Sequence, residues 1–361
     1  MAKSNQKAYP HPVFSSFLRS NEIKAFISKT INPNSKIFVI CDSNTDKNCF
    51  PLLIEKLKDA FLFNKITISE GENNKNLDTC RNIWGFLVKN EAKKDSLIIN
   101  LGGGVVTDIG GFCASLYMRG IPFIHIPTSL MAMVDASLGG KTGIDSEMLK
   151  NNIGNISFPK AVFIDSSFLE TLPKREFNAG FYEMIKHGLI ADKFYFYDLV
   201  GGKYTGNIDS AIEISVKIKM KIVLEDPYEN SERKLLNFGH TIGHAIESSY
   251  LKYSGKSLLH GEAVLFGMIA ESFISLNNGL LKKQDFDEII YLLKPLMPNI
   301  KMHNDNIEDI FYFLMHDKKH SSSQLNFTLL KETGNAIINQ NVDKQTIKQS
   351  LVYLSELTKG N

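Results

Sequence analysis

The run DSLIINL (95–101) ends directly in Gly102, Gly103 and Gly104, and the helical pattern VVTDIGGF follows without a break. An apolar strand that turns within a few glycines into a helix suits a parallel sheet, whose strands are buried on both faces. Two more runs share this texture, SKIFVICD (35–42) and IPFIHIP (121–127), with helix-like stretches such as NKNLDTCRNIWGFLVKN (74–90) between them. Strands alternating with helices predict a Rossmann-like sheet covered on both sides. Near Pro173 the texture changes, and helical patterns dominate from there on. The expected fold is α/β: a Rossmann-like parallel-sheet domain over residues 1–172, then an all-α domain over 173–361 that carries a metal. Near the C-terminus a strand-like NFTLL precedes a turn and a terminal helix.

Composition narrows the function classes. A hydrophobic share of 43 % and a net charge of +2 are those of a globular chain with no bias towards a charged partner. No basic run with interleaved aromatics suggests nucleic acid. No stretch approaches the roughly 20 apolar residues of a membrane span, and MAKSNQKAYPHPVFSS lacks a signal-peptide core, so the cytoplasm is expected. Cys41, Cys49, Cys80 and Cys113 show no CxxC spacing, which fits reduced thiols and no cysteine-based zinc site.

The glycine segment offers backbone N–H groups and a positive helix end to a pyrophosphate. It departs from GxGxxG, because Thr107 stands where the third glycine belongs, and a plain tight turn reads equally well. Asp42 and Asn44 end an earlier strand, where they could hold ribose hydroxyls, and the loop EGENNK (70–75) brings Glu72 and Lys75 to the mouth of another. In 127–154, Asp135 sits among small and apolar residues, Lys141 follows Gly139-Gly140, and Lys150 and Asn151 close the segment. A carboxylate and two ammonium groups around a glycine turn suit an anionic sugar phosphate; an exposed loop with one salt bridge is the alternative.

In the second half, His240 and His244 lie four apart on one helical face, a common way to present nitrogen ligands to a divalent metal. His260 opens the next helix and could turn back towards them, and glycines at 239, 243 and 261 leave room for close approach. Thr241 follows His240, so the spacing is not HExxH and lacks that motif's general base. Upstream, Glu183, Lys186 and His187 share helical spacing, and Glu183 could complete a site with two histidines. In AIEISVKIKMKIVLED (211–226), Lys219 falls on the apolar face while Lys217 and Lys221 point away. An ammonium there needs an anionic partner or must snorkel to solvent. Arg233 precedes His240 by seven residues and suits a carboxylate, and Lys318 and Lys319 form a charge cluster in HDKKH (316–320).

These residues together resemble 3-dehydroquinate synthase, of the sugar phosphate cyclase superfamily. The resemblance runs from Asp42 to about Leu330 and rests on GGGVVTD, RGIPFIHIPTSLMAMVDASLGGKTGID, KNNIG, LPKREFNAGFYEMIKHG, LNFGHTIGHAIE and LLHGEAV. It implies NAD bound by the first domain and zinc or cobalt bound beside the second. The implied metal ligands are Glu183, His240 and His260, in place of the His240/His244 pair, with His244 orienting or relaying protons beside the metal. The implied cofactor set is Asp42, Asn44, Glu72, Lys75, Gly103, Gly104, Asp108, Thr128, Ser129, Phe168, Thr171, Leu172 and Glu176. Asp135, Lys141, Lys186, Asn237 and His244 would serve catalysis. Substrate would meet Lys141, Lys150, Asn151, Lys219, Arg233, Asn237 and a lysine of the 318/319 pair, with Lys141 and Lys150 also touching NAD. Arg119 resembles an arginine that this family lends across a homodimer interface to the partner's phosphate site.

The activity implied is that of a lyase on 3-deoxy-D-arabino-heptulosonate 7-phosphate. It yields 3-dehydroquinate and phosphate by transient oxidation, β-elimination, re-reduction and aldol closure, the second step of the shikimate route to aromatic amino acids. The rivals are cyclases that make inososes or valiolones from substrates lacking a carboxylate, and an NAD- and metal-dependent polyol dehydrogenase. Lys219 and Arg233 as a carboxylate clamp, and the phosphate-binding cations, argue against them.

Overall fold

The computed structural model describes residues 12–14, 21–146, 149–253, 258–300, 304–316 and 325–359. Two compact units divide it, Met1–Phe177 and Asn178–Asn361. No helix among the described residues is long and apolar enough to cross a membrane.

The first unit contains β1 (Pro12–Phe14), α1 (Glu22–Thr30), β2 (Ile37–Asp42), α2 (Ser43–Asn48), α3 (Phe50–Leu57), β3 (Phe63–Ile68) and α4 (Leu77–Lys89). It continues through β4 (Leu97–Gly102), α5 (Gly104–Leu116), β5 (Phe123–Pro127), β6 (Lys141–Ser146), β7 (Leu149–Ile156) and β8 (Val162–Ile164). Six strands form one sheet in the order β1-β8-β5-β4-β2-β3, and each neighbouring pair is parallel. The three apolar runs read from sequence are β2, β4 and β5. All of β4 and β5 is buried, as strands between two helical layers must be. Edge strand β3 alternates instead, with Ile68 its one fully buried side chain. Phe38 and Ile98 of the sheet pack with Ile83 and Leu87 of α4 and Ile109 of α5. Chain order runs from β2 outwards to β3, then returns to β4 on the other side of β2. This reversal falls between β2 and β4, and the carboxyl ends of the strands beside such a switch point are the usual ligand site of such sheets. A separate antiparallel hairpin, β6–β7, carries Lys141 on one strand and Lys150 and Asn151 on the other.

Helix α6 (Lys174–Ala191) spans the boundary between the units. The second unit continues with α7 (Lys193–Val200), α8 (Ile208–Glu225), α9 (His240–Tyr253), α10 (His260–Asn277), α11 (Lys283–Leu293) and α12 (Asn304–His316). After these come β9 (Leu325–Glu332), β10 (Asn335–Val342) and α13 (Lys344–Lys359). NFTLL lies in β9, which pairs with β10 in an antiparallel hairpin, so this unit is mostly helical rather than all-α. Along β9, Leu325 and the run from Phe327 to Leu330 are buried, so both faces of that strand are covered there, and the Leu330 amide donates to Ser275 Oγ of α10 at 3.0 Å. Helix α10 is the centre of the unit, buried nearly all round from Gly261 to Ser275, as expected of a helix without a polar face.

Candidate active site

In the first unit, β4 delivers its chain into the glycine turn. A Cβ on Gly102 would meet the Val106 side chain at 2.5 Å, so the turn into α5 closes only without one. Gly103 occupies the N-cap of α5 with no side-chain cap, which leaves the helix's first amides available to an anion. The Thr128 amide donates to Gly102 O at 3.0 Å, and Ser129 Oγ accepts the Ala132 amide at 3.2 Å, tying the end of β5 to this turn. Asp42 caps α2, accepting the Thr45 amide at 2.8 Å, while Asn44 lies in that helix's first turn.

Lys75 gathers the charged residues. Its Nζ donates to Asp108 Oδ2 at 2.6 Å and to Asn151 Oδ1, with Glu72 Oε1 at 3.7 Å. Lys150 approaches the same Glu72 oxygen at 3.9 Å. Burial works against the Lys75 charge, but the Asp108 and Glu72 carboxylates outweigh it and hold the ammonium above the ordinary lysine range. Asn151 sits at φ +51°, with its amide on Asp145 Oδ1 at 2.7 Å, a contact the sequence did not flag. Asp135 lies in a π-helical turn over Ala132–Ala136, and Lys141 is exposed at the start of β6. Phe168, Thr171 and Leu172 occupy or end the 3-10 turn Ser166–Thr171, with Phe168 buried, and Glu176 lies in the first turn of α6.

Arg119 is exposed on a hook in which Met118, Arg119 and Gly120 all have positive φ, at 47°, 60° and 98°. Lys94 Nζ clamps the hook from below, donating to the carbonyls of Met118 at 2.8 Å, Arg119 at 3.1 Å and Gly120. Two non-glycine residues in this region cost on the order of 1–3 kcal/mol each, a strain that structures retain mostly at functional positions.

In the second unit three helices converge. Glu183 comes from α6, His240 and His244 from α9, and His260 from the first residue of α10. Glu183 Oε1 lies 3.6 Å from His240 Nε2 and 3.7 Å from His260 Nε2. One ligand atom from each of His240, His244 and His260 falls within 4.8 Å of the others. The approach depends on Gly261, where a Cβ would stand 2.1 Å from Ala179 O, one turn before Glu183. Both Nδ1 atoms are engaged away from the cluster, His240 with Phe238 O at 3.2 Å and His260 with Glu247 Oε2 at 3.4 Å. Such partners fix the tautomer and leave Nε2 as the ligand atom. Glu247 was legible in principle, three residues after His244 on the same helical face.

Glu183 is 0 % exposed, and neither of its oxygens takes a directed hydrogen bond from a described residue. The Lys186 ammonium, itself 1 % exposed, pairs with Oε2. A buried carboxylate whose other oxygen faces two imidazole nitrogens fits a divalent metal with the His2Glu donor set of open catalytic sites. The His240/His244 pair read from helical spacing is together in this cluster with His260, and Glu183 Oε1 faces both His240 and His260. Lys219 is buried at 5 % exposure while Lys217 and Lys221 are exposed, as helical spacing predicts. Arg233 is 3 % exposed and donates to Pro227 O at 2.6 Å. Asn237 donates to Glu229 Oε1 at 2.8 Å; Glu229, at φ +60°, had no sequence signal. Lys318 and Lys319 lie outside the described residues.

Residues 65–179 match the 3-dehydroquinate synthase N-terminal family and residues 180–320 the 3-dehydroquinate synthase C-terminal family. The chain belongs to the 3-dehydroquinate synthase family. It is 39 % identical over 345 residues to the 3-dehydroquinate synthase of Parabacteroides distasonis, covering 93 % of this chain and 95 % of that one. The Clostridium acetobutylicum 3-dehydroquinate synthase is likewise 39 % identical, over 333 residues, with 91 % and 92 % covered. Among solved structures, a Streptomyces hygroscopicus 2-epi-5-epi-valiolone synthase with NAD+ and Zn2+ bound shares the fold at a TM-score of 0.86 and 24 % identity, covering 99 % of both chains. A 2-deoxy-scyllo-inosose synthase complexed with carbaglucose-6-phosphate, NAD+ and Co2+ matches at 0.80 and 26 %, covering 93 % of this chain and 94 % of that one.

Proposed function

We propose that the protein is a 3-dehydroquinate synthase, a lyase that converts 3-deoxy-D-arabino-heptulosonate 7-phosphate to 3-dehydroquinate and phosphate with NAD and a zinc or cobalt ion. The observation that carries this reading is the convergence of Glu183 Oε1 on Nε2 of His240 and His260, in a chain that follows 3-dehydroquinate synthases along nine-tenths of its length. When bound, NAD supplies a reversible hydride acceptor and the metal a Lewis acid.

The chain's own residues do the rest. The uncapped start of α5 and Lys75 bind the cofactor's pyrophosphate, and Asp42 meets a ribose. Glu183, His240 and His260 hold the metal. Lys219 and Arg233, both buried, clamp the substrate carboxylate, a group that inosose- and valiolone-forming cyclases need not recognise. Lys141, Lys150 and Asn151 bind phosphate. The Lys186 ammonium and the His244 imidazole hold protons at Nζ and at a ring nitrogen beside the metal ligands, and Glu229 orients the Asn237 amide. The reading makes the enzyme a cytoplasmic homodimer with Arg119 reaching the partner's phosphate site; four buried free thiols accord with a reducing compartment.

The test is phosphate release from the heptulosonate phosphate with catalytic NAD and added Zn2+ or Co2+, coupled to a dehydratase that reports product by absorbance. Stoichiometric phosphate and product without net NADH is the expected result. Turnover of glucose 6-phosphate or sedoheptulose 7-phosphate instead would reassign the chain to the sibling cyclases, and NADH without phosphate to the polyol dehydrogenases.

A further inference from the structure

We infer that Glu271, deep in α10, is a positioning residue for His240 because its carboxylate caps the start of α9 from the neighbouring helix. The inference rests on the metal-site reading above. Helix α9 begins at His240, and the preceding residue, Gly239 at φ +78°, has no side chain with which to cap it. Glu271 takes that place: Oε2 accepts the Gly239 amide at 2.6 Å and Oε1 the Ile242 amide at 3.0 Å. The Thr241 amide is a third donor.

Glu271 is 0 % exposed, and no cation among the described residues pairs with it. A carboxyl in that position is costly unless amides satisfy it, and burial pushes it up to about 8 even against the three amide donors. An apolar residue would pack α10 at no such cost, so the acid's contribution is directional. The peptide it grips is the one that orients the ligand. Phe238 O, in the same peptide as the Gly239 amide, is the atom that engages His240 Nδ1, and this leaves Nε2 to face Glu183. Gly239 lies flush on the same helix, since a Cβ there would stand 2.7 Å from Met268 Cγ, one turn before Glu271. Glu271, the 238–239 peptide and the His240 ring thus form one chain of contacts ending at a ligand atom, the arrangement by which outer groups tune metal affinity.

The experiment is equilibrium titration of the metal-stripped full-length protein with Co2+, following visible absorption, with Zn2+ competition for affinity. Parent, Glu271→Gln and Glu271→Ala are compared. We expect Co2+ binding to weaken by about 10–100-fold in Glu271→Ala and by less in Glu271→Gln, with a changed Co2+ spectrum in both. Glu271→Gln preserves size and one acceptor, so the question stays open to test if the alanine variant does not fold. Ile289→Ala, a buried position in α11, serves as a matched loss of stability and should leave affinity and spectrum unchanged. Parental affinity and spectrum in both Glu271 variants, or an equal loss in Ile289→Ala, overturns the inference. Parental Co2+ binding in His240→Ala overturns the metal-site reading itself, and this inference with it.

Discussion

In the proposed metal site Glu183 is the shared ligand, because its Oε1 lies 3.6 Å from Nε2 of His240 and 3.7 Å from Nε2 of His260. Glu183→Gln should weaken Zn2+ or Co2+ binding by more than about 100-fold, read by the same titration, since the neutral amide replaces an anionic ligand. Lys219→Met separates substrate binding from folding. It should cost about 10–100-fold in kcat/KM, the value of a charged hydrogen bond, with the melting temperature read beside it to tell lost binding from lost stability. His125 behaves differently. It is buried in β5, its Nδ1 lies 3.2 Å from the Asn100 amide nitrogen, and burial pushes its pKa down to about 3. The native state therefore keeps it neutral while the unfolded chain protonates near pH 6.5, so its contribution is complete above that pH and is lost as pH falls towards 3. Chemical denaturation at pH 7 and pH 5 should show the parent losing more stability on acidification than His125→Gln. Histidine type alone revealed none of this: three of these rings cluster and one is shut in a sheet, and burial made the difference.

At the scale of elements, packing without side chains sets the site. Gly267 of α10 lies against the start of α9, where a Cβ would stand 1.8 Å from Gly239 O. Gly267→Ala should force the two helices apart, costing about 2–4 kcal/mol by analogy with overpacked cores and lowering metal affinity with it. At Gly85, in the exposed middle of α4, an added Cβ would meet nothing within 4 Å. Gly85→Ala should raise stability by about 0.5–1 kcal/mol through helix propensity, measured by thermal melting. Both glycines stand inside helical patterns in the sequence, which cannot tell them apart; the neighbouring backbone can. The hairpin β9–β10 shows the same limit, for one strand was legible in NFTLL while its partner NAIINQNV lacks a continuous apolar run and gains its register from β9.

For the whole molecule, the cross-subunit role proposed for Arg119 predicts complementation. Mixing and re-pairing Arg119→Ala with Glu183→Gln subunits should restore up to about a quarter of parental activity, because half the dimers are then mixed and each has one complete site. A role for Arg119 within its own subunit would leave the mixture inactive. The parallel sheet, the glycine turn into α5, the buried face of Lys219 and the histidine-rich segment could all be read from the chain, because each is a local pattern of period, turn chemistry or spacing. Motif resemblance added Glu183 to the metal set, which spacing alone had left as one option. Only the tertiary structure brought Oε1 of that residue onto two imidazoles from different helices, set Lys75 between Asp108 and Asn151, and placed Glu271 beneath the first turn of α9. Those contacts join residues some thirty to eighty positions apart, and their geometry is decided by which backbones can touch, a property of packed helices and strands that no local window of sequence contains.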